Sequence, residues 1–342
     1  MNSCDLYTKL RDDKTSIDKE TVENILMTAP TETEVKFYKT MDKDDILKNY
    51  QNPDIWFFTL IEAFPQLDVL IIKLKAMRYI NDFGDNMEQV RTMLKTMCDA
   101  TNELKNSQEL SPLLKLILQL TNTLKRAPNC VIPSGDMQYL QPLKGFYIES
   151  VTKLNGMRAY NKPEITLLHY LIAIIQMKNT NIKSELQLQT FMENMPHVKE
   201  ASAFTFQEVE EIFKSLRKGK TKFLDVVLDL PKGAADLSHF LVDITVVGEK
   251  LTKGEAEFST LEESFKRNSA FYGAKPLKAK FSKYDLDMWR KEEPMHFFSI
   301  LSTFGTNFYA AKGKKKVVTE VVQLIELHNK LAPDASDTPG GS

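Results

Sequence analysis

Glycine and proline are scarce in this 342-residue chain, at 13 and 14 residues. That shortage argues against a turn-rich sandwich or barrel and for long helices. Cysteine is scarcer still. Cys4, Cys98 and Cys130 lie far apart and are odd in number, so they suit neither a disulfide framework nor a zinc ligand set and fit a reducing compartment. No Asn-x-Ser/Thr acceptor occurs, which agrees. The N-terminal MNSCDLYTKLRDDK has no apolar stretch like that of a signal peptide. The longest apolar runs, such as IWFFTLI at 55–61, fall far short of a membrane span. The expectation is a soluble intracellular protein, cytoplasmic or nuclear, with no membrane partner. A net charge of −1 and a pI near 6.6 give no global pull toward nucleic acid, so no direct nucleic-acid binding is expected.

Reactive constellations are missing too. The five histidines (His169, His197, His239, His296 and His328) have no second histidine or cysteine at metal-ligand spacing. RKGKTK at 217–222 lacks the upstream glycine and preceding strand of a phosphate-binding loop. GDNMEQ and SGDM lack the alternating acids of a calcium loop, and no Gly-x-Ser-x-Gly occurs. The chain is therefore expected to be no enzyme, with no cofactor, no metal and no small-molecule substrate. His169 interrupts the apolar run TLLHYLIAII, and its plain reading is a core-edge histidine bonding a backbone carbonyl. Two basic runs stand out, Arg217–Lys222 (Arg217, Lys218, Lys220, Lys222) and Lys312–Lys316. Each reads as a solvated helix end whose cations complement the helix dipole. The sharper alternative is a contact patch for an acidic partner, or a nuclear-import tag in the second run.

What is present is helical periodicity. Ser16 or Asp18 can cap a helix carrying Val22, Ile25 and Leu26 on one face, which stops at Pro30. Thr31 and Glu34 then form a capping-box pattern. Residues 54–64 and 66–83 read as two buried helices broken at Pro65. Val90, Leu94, Met97, Thr101 and Leu104 mark another over 85–106. SPLLKLILQLTNTL continues as a buried helix, and residues 126–144, with Pro128, Pro133, Gly135 and Pro142, read as a long loop. An apolar helix follows over 164–177. From 236 to 272 a narrow stripe (Leu237, Leu241, Ile244, Val247, Leu251, Phe258, Leu261, Phe265) is interrupted near Gly254 and suits a coiled-coil arm. Two helices close the chain, EPMHFFSILSTFGTNFYAA and VVTEVVQLIELHNKL, before a tail at 332–342 expected to be disordered. No strand pattern is visible. The fold class expected is all-α, an elongated helical bundle.

Against this background GFYIESVTKLNGMRAYNKPEITLLHYL, residues 145–171, is distinctive. Gly145-Phe146, then Lys153-Leu154, then Thr166, Leu167, Leu168 and His169 of TLLHYL, resemble the central signature of formin homology 2 domains. APTETE at 29–34 resembles that family's Pro-Thr-x-Glu-Glu helix start, and LLKLILQL at 113–120 the helix leading to its Gly-Asn-x-Met-Asn motif. MPHVKEASAFTFQEVEEI at 195–212 is similar to the segment opening its long arm, and EPMHFFSILSTFGTNFYAA to its Glu-Phe-Phe closing helix. The pieces fall in the family's order and cover roughly residues 5–330. The resemblance implies a knob at about 1–110 with later segments, a post at about 111–195 and 293–331, and a coiled-coil arm at about 205–272. It also implies a head-to-tail homodimer in which a tryptophan-bearing lasso of one subunit encircles the other's post. The ring would nucleate actin filaments and cap their fast-growing ends, without catalysis.

Three departures qualify that implication. Residues 1–28 carry no counterpart of the lasso, the linker or the actin-contacting isoleucine helix, and the only tryptophans, Trp56 and Trp289, lie in helical contexts. The Gly-Asn-x-Met-Asn motif is replaced by Thr121, Asn122, Thr123, Leu124 and Lys125, so a branched side chain stands where the family's glycine lets the lasso approach the post. The family's basic actin contact falls at Ala203. Loss of a charge at a contact with acidic actin costs on the order of 1–3 kcal/mol. The expectation is a degenerate formin domain kept as a self-association or partner-binding scaffold, with actin assembly lost or much reduced. One alternative is a fragment of an actin-nucleating formin whose front half supplies the lasso. Another is the dimerisation module of a larger regulator, with a nuclear one among the options.

Overall fold

Asp18 opens the first helix: its carboxylate accepts the Thr21 backbone N–H at 2.8 Å, the N-cap that the sequence offers. In the computed structural model, residues 17–64, 66–125, 142–179, 191–228, 238–274 and 283–331 are described. Most of the expected loop at 126–144 and all of the expected tail at 332–342 lie outside them, as do Pro65, Cys4 and Cys130. The chain divides into two compact units, residues 1–91 with 210–256, and 92–209 with 257–342.

The first unit begins with α1 (Lys19–Met27), α2 (Glu32–Lys39), α3 (Lys43–Asn49) and α4 (Asn52–Ala63), followed by the start of α5 (Leu67–Asn106). The Thr31–Glu34 capping box is formed on both arms, and the hydrogen bonds from Thr31 hold the Glu34 carboxyl below its usual pKa. Val22, Ile25, Ile46, Leu60, Leu70 and Leu74 form the core, with Trp56 and Phe57 packed on it. Burial, reinforced by a 2.7 Å hydrogen bond to Asp54, pushes the Tyr38 phenol up to about 12. The sequence pattern suggests separate helices over 66–83 and 85–106, but α5 runs through both. Only Gly84 stands at the junction, and a lone helical glycine costs about 1 kcal/mol without ending a helix.

Helices α9 (Phe206–Leu228) and α10 (Ser238–Phe271) contribute residues 210–228 and 238–256 to this unit. Gly219 makes the α5–α9 approach possible: a Cβ there would sit 2.6 Å from the Tyr79 ring. That ring stacks on Phe223 at 6.1 Å, and its hydroxyl donates to the Leu216 carbonyl at 2.9 Å. The expected stripe of α10 is buried at Ile244, Val247, Leu251, Phe258, Leu261 and Phe265. The helix passes through Gly254 unbroken.

The second unit holds α6 (Leu110–Lys125), a 3₁₀ helix (Ile148–Asn155), strands β1 (Arg158–Ala159) and β2 (Lys162–Thr166), and α7 (Leu167–Asn179). It continues with α8 (Pro196–Ala201), α11 (Lys283–Gly313) and α12 (Lys315–Leu331). The strands correct the expectation of none: β1 and β2 form an antiparallel two-stranded hairpin. Residues 164–166 belong to it, so α7 starts at Leu167 rather than 164. Among the described residues the fold is otherwise all-α. The aromatic-rich helix expected from 293 begins ten residues earlier and carries Pro294 in its interior. Phe206, Phe265, Trp289, Phe297 and Phe298 form an aromatic core. Beside it, Glu262 is 8% exposed and accepts from Arg290 at 2.9 Å and Lys266 at 2.8 Å. Burial works to raise the pKa of this carboxyl, but the hydrogen bonds and charges of Arg290 and Lys266 prevail and lower it. No single helix among the described residues is long and apolar enough to cross a membrane.

Candidate interaction face around the signature segment

The signature residues are held in the second unit by their inward-facing atoms. The 3₁₀ helix buries Ile148, Val151 and Leu154, and that spacing of three is the repeat that aligns side chains in a three-residue turn. Leu154 therefore faces inward and Lys153 faces solvent. Downstream, the Leu167 N–H donates to the Met157 carbonyl at 2.8 Å, and Lys162 pairs with Glu320 of α12. Tyr160, at the hairpin tip, is fully exposed.

Thr166, Leu167, Leu168 and His169 are all buried. His169 corrects the expected carbonyl contact. Its Nδ1 accepts the Thr166 backbone N–H at 3.1 Å and lies 2.8 Å from the Thr166 hydroxyl. The histidine thus takes the place of the acid in a capping box, reaching back from the first turn of α7. An accepting Nδ1 requires the proton on Nε2 and a neutral ring. Burial, aided by the charge of Lys314, pushes the imidazole pKa down. Nε2 is buried without a hydrogen-bond partner among the described residues.

Two further junctions fix the entry to the signature. Asn122, in the altered motif of α6, donates through Nδ2 to the Leu143 carbonyl at 3.0 Å and accepts the Leu143 N–H at 2.7 Å. This doubly bonded amide clamps residue 143 to the end of α6. The end of α10 closes on the other side. Gly273 has φ +79°, the Gly273 N–H donates to Ala270, and the Ala274 N–H to Ser269. This is a Schellman cap, which favours glycine at its left-handed position. The Gly273 carbonyl accepts the Ile148 N–H at 3.0 Å, and a Cβ at 273 would lie 2.8 Å from the Phe146 carbonyl oxygen.

The outward side of the segment is different. A Cβ on Gly145 would meet nothing within 4 Å, and Phe146 is half-buried. Leu124, two residues beyond the Asn122 clamp, is 44% exposed; Tyr147 is 53% and Phe271 74% exposed. These large apolar groups stand at the anchored ends of the Leu143–Ile148 stretch. Thr121 turns its hydroxyl inward to the Ile117 carbonyl at 2.8 Å, while for Lys125 only the helical backbone is described. Ala203 is exposed in the turn between α8 and α9, its N–H donating to the Glu200 carbonyl at 3.1 Å. It thus presents a methyl group to solvent and no charge.

The first basic run divides among different faces of α9. Arg217 pairs with Glu255 at 2.5 Å. Lys220 turns toward α10, its Nζ 2.5 Å from where a Gly248 Cβ would stand. Lys218 and Lys222 are exposed on the opposite side. The second run corrects the dipole reading: Lys312 lies in the last turn of α11, but Lys315 and Lys316 open α12, at the positive end of its dipole. Among the described residues no cluster of histidine, cysteine and acidic side chains could hold a metal.

The sequence matches the family described as Formin Homology 2 Domain over residues 3–309. The chain belongs to the formin homology 2 family. It is similar to Formin-like protein 3 of Oryza sativa subsp. japonica, 28% identical over 212 residues, which are 61% of this chain and 15% of that protein. Formin-like protein 14 of Arabidopsis thaliana is 26% identical over 278 residues, 79% of this chain and 20% of that protein. Disheveled-associated activator of morphogenesis 2 of Gallus gallus is 23% identical over 301 residues, 88% of this chain and 25% of that protein. The formin homology 2 chain thus spans a quarter or less of these relatives.

The hairpin, the Asn122 clamp and the Gly273 junction are elements of the candidate face that the sequence pattern does not supply. Two signals point toward them: Asn155-Gly156 marks a turn before β1, and Phe271-Tyr272-Gly273 ends a helical stripe in a glycine.

Proposed function

We propose that this formin homology 2 domain is a non-enzymatic scaffold that self-associates or binds a protein partner through the face around Gly145, with actin nucleation lost or much reduced. The observation carrying the proposal is the open space at Gly145 together with exposed Tyr147 beside it in the chain and exposed Leu124 and Phe271 close in sequence to the two anchors of the segment. Covering an apolar side chain of this size contributes roughly 1.5–3 kcal/mol, so a few such groups suffice for a specific contact. The loss of actin assembly rests on Ala203, a neutral exposed residue where the family resemblance places a cation, and on Thr121 in place of the motif glycine. In this reading residues of about 111–195 and 293–331 supply the post, and about 205–272, which include α9 and α10, supply the arm.

A second reading follows from the relatives' greater length: the chain is one piece of an actin-nucleating formin. Bulk actin polymerisation, run beside a light-scattering mass, separates the two. The scaffold reading expects no acceleration at concentrations where formins act, together with a mass above that of one chain or a partner complex disrupted by Tyr147→Ser/Phe271→Ser. Clear acceleration, or slowed barbed-end growth, overturns it in favour of the second.

A further inference from the structure

The first unit carries a separate surface that the proposed scaffold face does not use. A groove of about 710 Å³ runs between α9 and α10, lined by Leu224, Ile244, Gly248 and Thr252, with Lys220 and Lys253 also in its wall. Val242 and Val246, 62% and 41% exposed, extend the apolar surface along the same side of α10. From Val242 to Ala256 the strip covers fifteen residues of helix, a span of about 21 Å at 1.5 Å per residue. Gly248 has no Cβ, and the Lys220 stem crosses above it.

The charge around the groove selects its occupant. Segments 214–225 and 238–256 contain seven Lys or Arg against four Asp or Glu, although the whole chain carries −1. Lys214 is paired with Glu210 and Arg217 with Glu255. Among the described residues Lys220 and Lys253, the two cations lining the groove, have no carboxylate partner. Glu249 is the one acidic residue in the groove wall. An apolar strip about four helical turns long, flanked by the unpaired Lys220 on α9 and Lys253 on α10, matches an amphipathic helix with small apolar residues on one face and acids along its edges. We infer that the α9–α10 groove docks such an acidic amphipathic helix from a partner protein.

The test uses the full chain and a fluorescein-labelled, helix-forming peptide of 15 residues with Leu and Ala on one face and Glu along both edges. Anisotropy titration should show saturable binding, with a Kd on the order of 10 µM. The same peptide with Lys for Glu should bind at least about tenfold more weakly, as two lost charge contacts predict. Lys220→Glu/Lys253→Glu should invert that preference. Thr252→Trp should abolish binding by filling the groove, with circular dichroism unchanged. Lys36→Glu/Lys39→Glu on α2 makes the same charge change at exposed sites elsewhere and should alter the Kd less than about twofold. Three results would overturn the inference: no saturation up to millimolar peptide, equal weakening by the α2 variant, or a peptide-independent dimer that Thr252→Trp dissolves. The last would assign the groove to a second copy. None of these readouts depends on Tyr147 or Phe271.

Discussion

Replacing Gly273 by alanine tests whether the signature segment is held by the end of α10. An L-residue in the left-handed region costs about 1–2 kcal/mol, and the smaller entropy of the unfolded alanine chain adds roughly 0.4–1 kcal/mol in favour of the native state. The added methyl group would also stand 2.8 Å from the Phe146 carbonyl oxygen. That atom is backbone, so no side-chain rotation relieves the contact. Relief requires the two strands of chain to part, weakening the 3.0 Å bond from Ile148 N–H to the Gly273 carbonyl, which contributes about 0.5–1.5 kcal/mol. The expected net loss is about 2 kcal/mol, or roughly 3 °C in Tm for a chain of 342 residues. The matched control is Gly145→Ala, where φ is not positive and a Cβ meets nothing within 4 Å. It should leave Tm within about 1 °C. Thermal unfolding followed by circular dichroism measures both. If Gly273→Ala melts with the parent protein, or if Gly145→Ala falls as far, the junction does not hold the segment as described.

Two further perturbations address groups inside the second unit. Glu262→Ala leaves Arg290, whose side chain is 17% exposed, without its carboxylate, and should cost about 3–5 kcal/mol in urea unfolding; a loss below about 1 kcal/mol would show that Arg290 finds another anion or water. Because the Glu262 pKa is lowered in the folded state, its contribution is present above the unfolded carboxyl value and disappears as pH falls through the folded one. The parent protein's stability should therefore fall in acid more steeply than that of the alanine variant. His197 shows the reverse sign: its Nδ1 lies 2.5 Å from Glu103, and that hydrogen bond raises the imidazole pKa. The pair is fully stabilising below the unfolded imidazole value and loses its contribution as pH rises through the folded one. His197→Gln should flatten the decline in Tm as pH rises above the unfolded imidazole value of about 6.5, and an unchanged slope would place that titration elsewhere.

The parts of the fold visible in the sequence are those whose causes are local. Thr31 and Glu34 are three residues apart and cap the same turn, and the α10 stripe repeats at the helical period whatever it packs against. The hairpin escapes periodicity because each strand is short, and Glu164-Ile165-Thr166 reads equally as the start of the apolar helix behind it. His169 shows the limit within a single motif. Thr166-Leu-Leu-His169 has the spacing of a capping box, but the acceptor is an imidazole and the run is apolar, so the pattern reads as core. The Asn122–Leu143 clamp joins residues 21 apart across a segment of poor periodicity, and no local propensity encodes such a pair. The same holds for Gly273. Its need for a left-handed conformation is legible from its place after a helix, but its approach to Phe146 is not.

These differences separate the two roles of the signature region. Asn122 spends both amide groups on Leu143, the His169 Nδ1 is engaged by Thr166, and Leu154 fills the core, so changes at these positions act through the fold. Leu124, Tyr147, Tyr160 and Ala203 present side chains to solvent, so replacing them alters a contact surface at little structural cost. Thr121 lies between these classes, because its hydroxyl is satisfied by Ile117 within its own helix. A branched residue there is stable without any partner. The altered motif therefore requires no compensating change in α6. Its physical consequence falls on whatever approaches from outside: the added Cβ and methyl group hold an incoming backbone farther from the helix than a glycine would. Any partner of this face must thus engage side chains such as Leu124 and Tyr147 more than the helix backbone at residue 121.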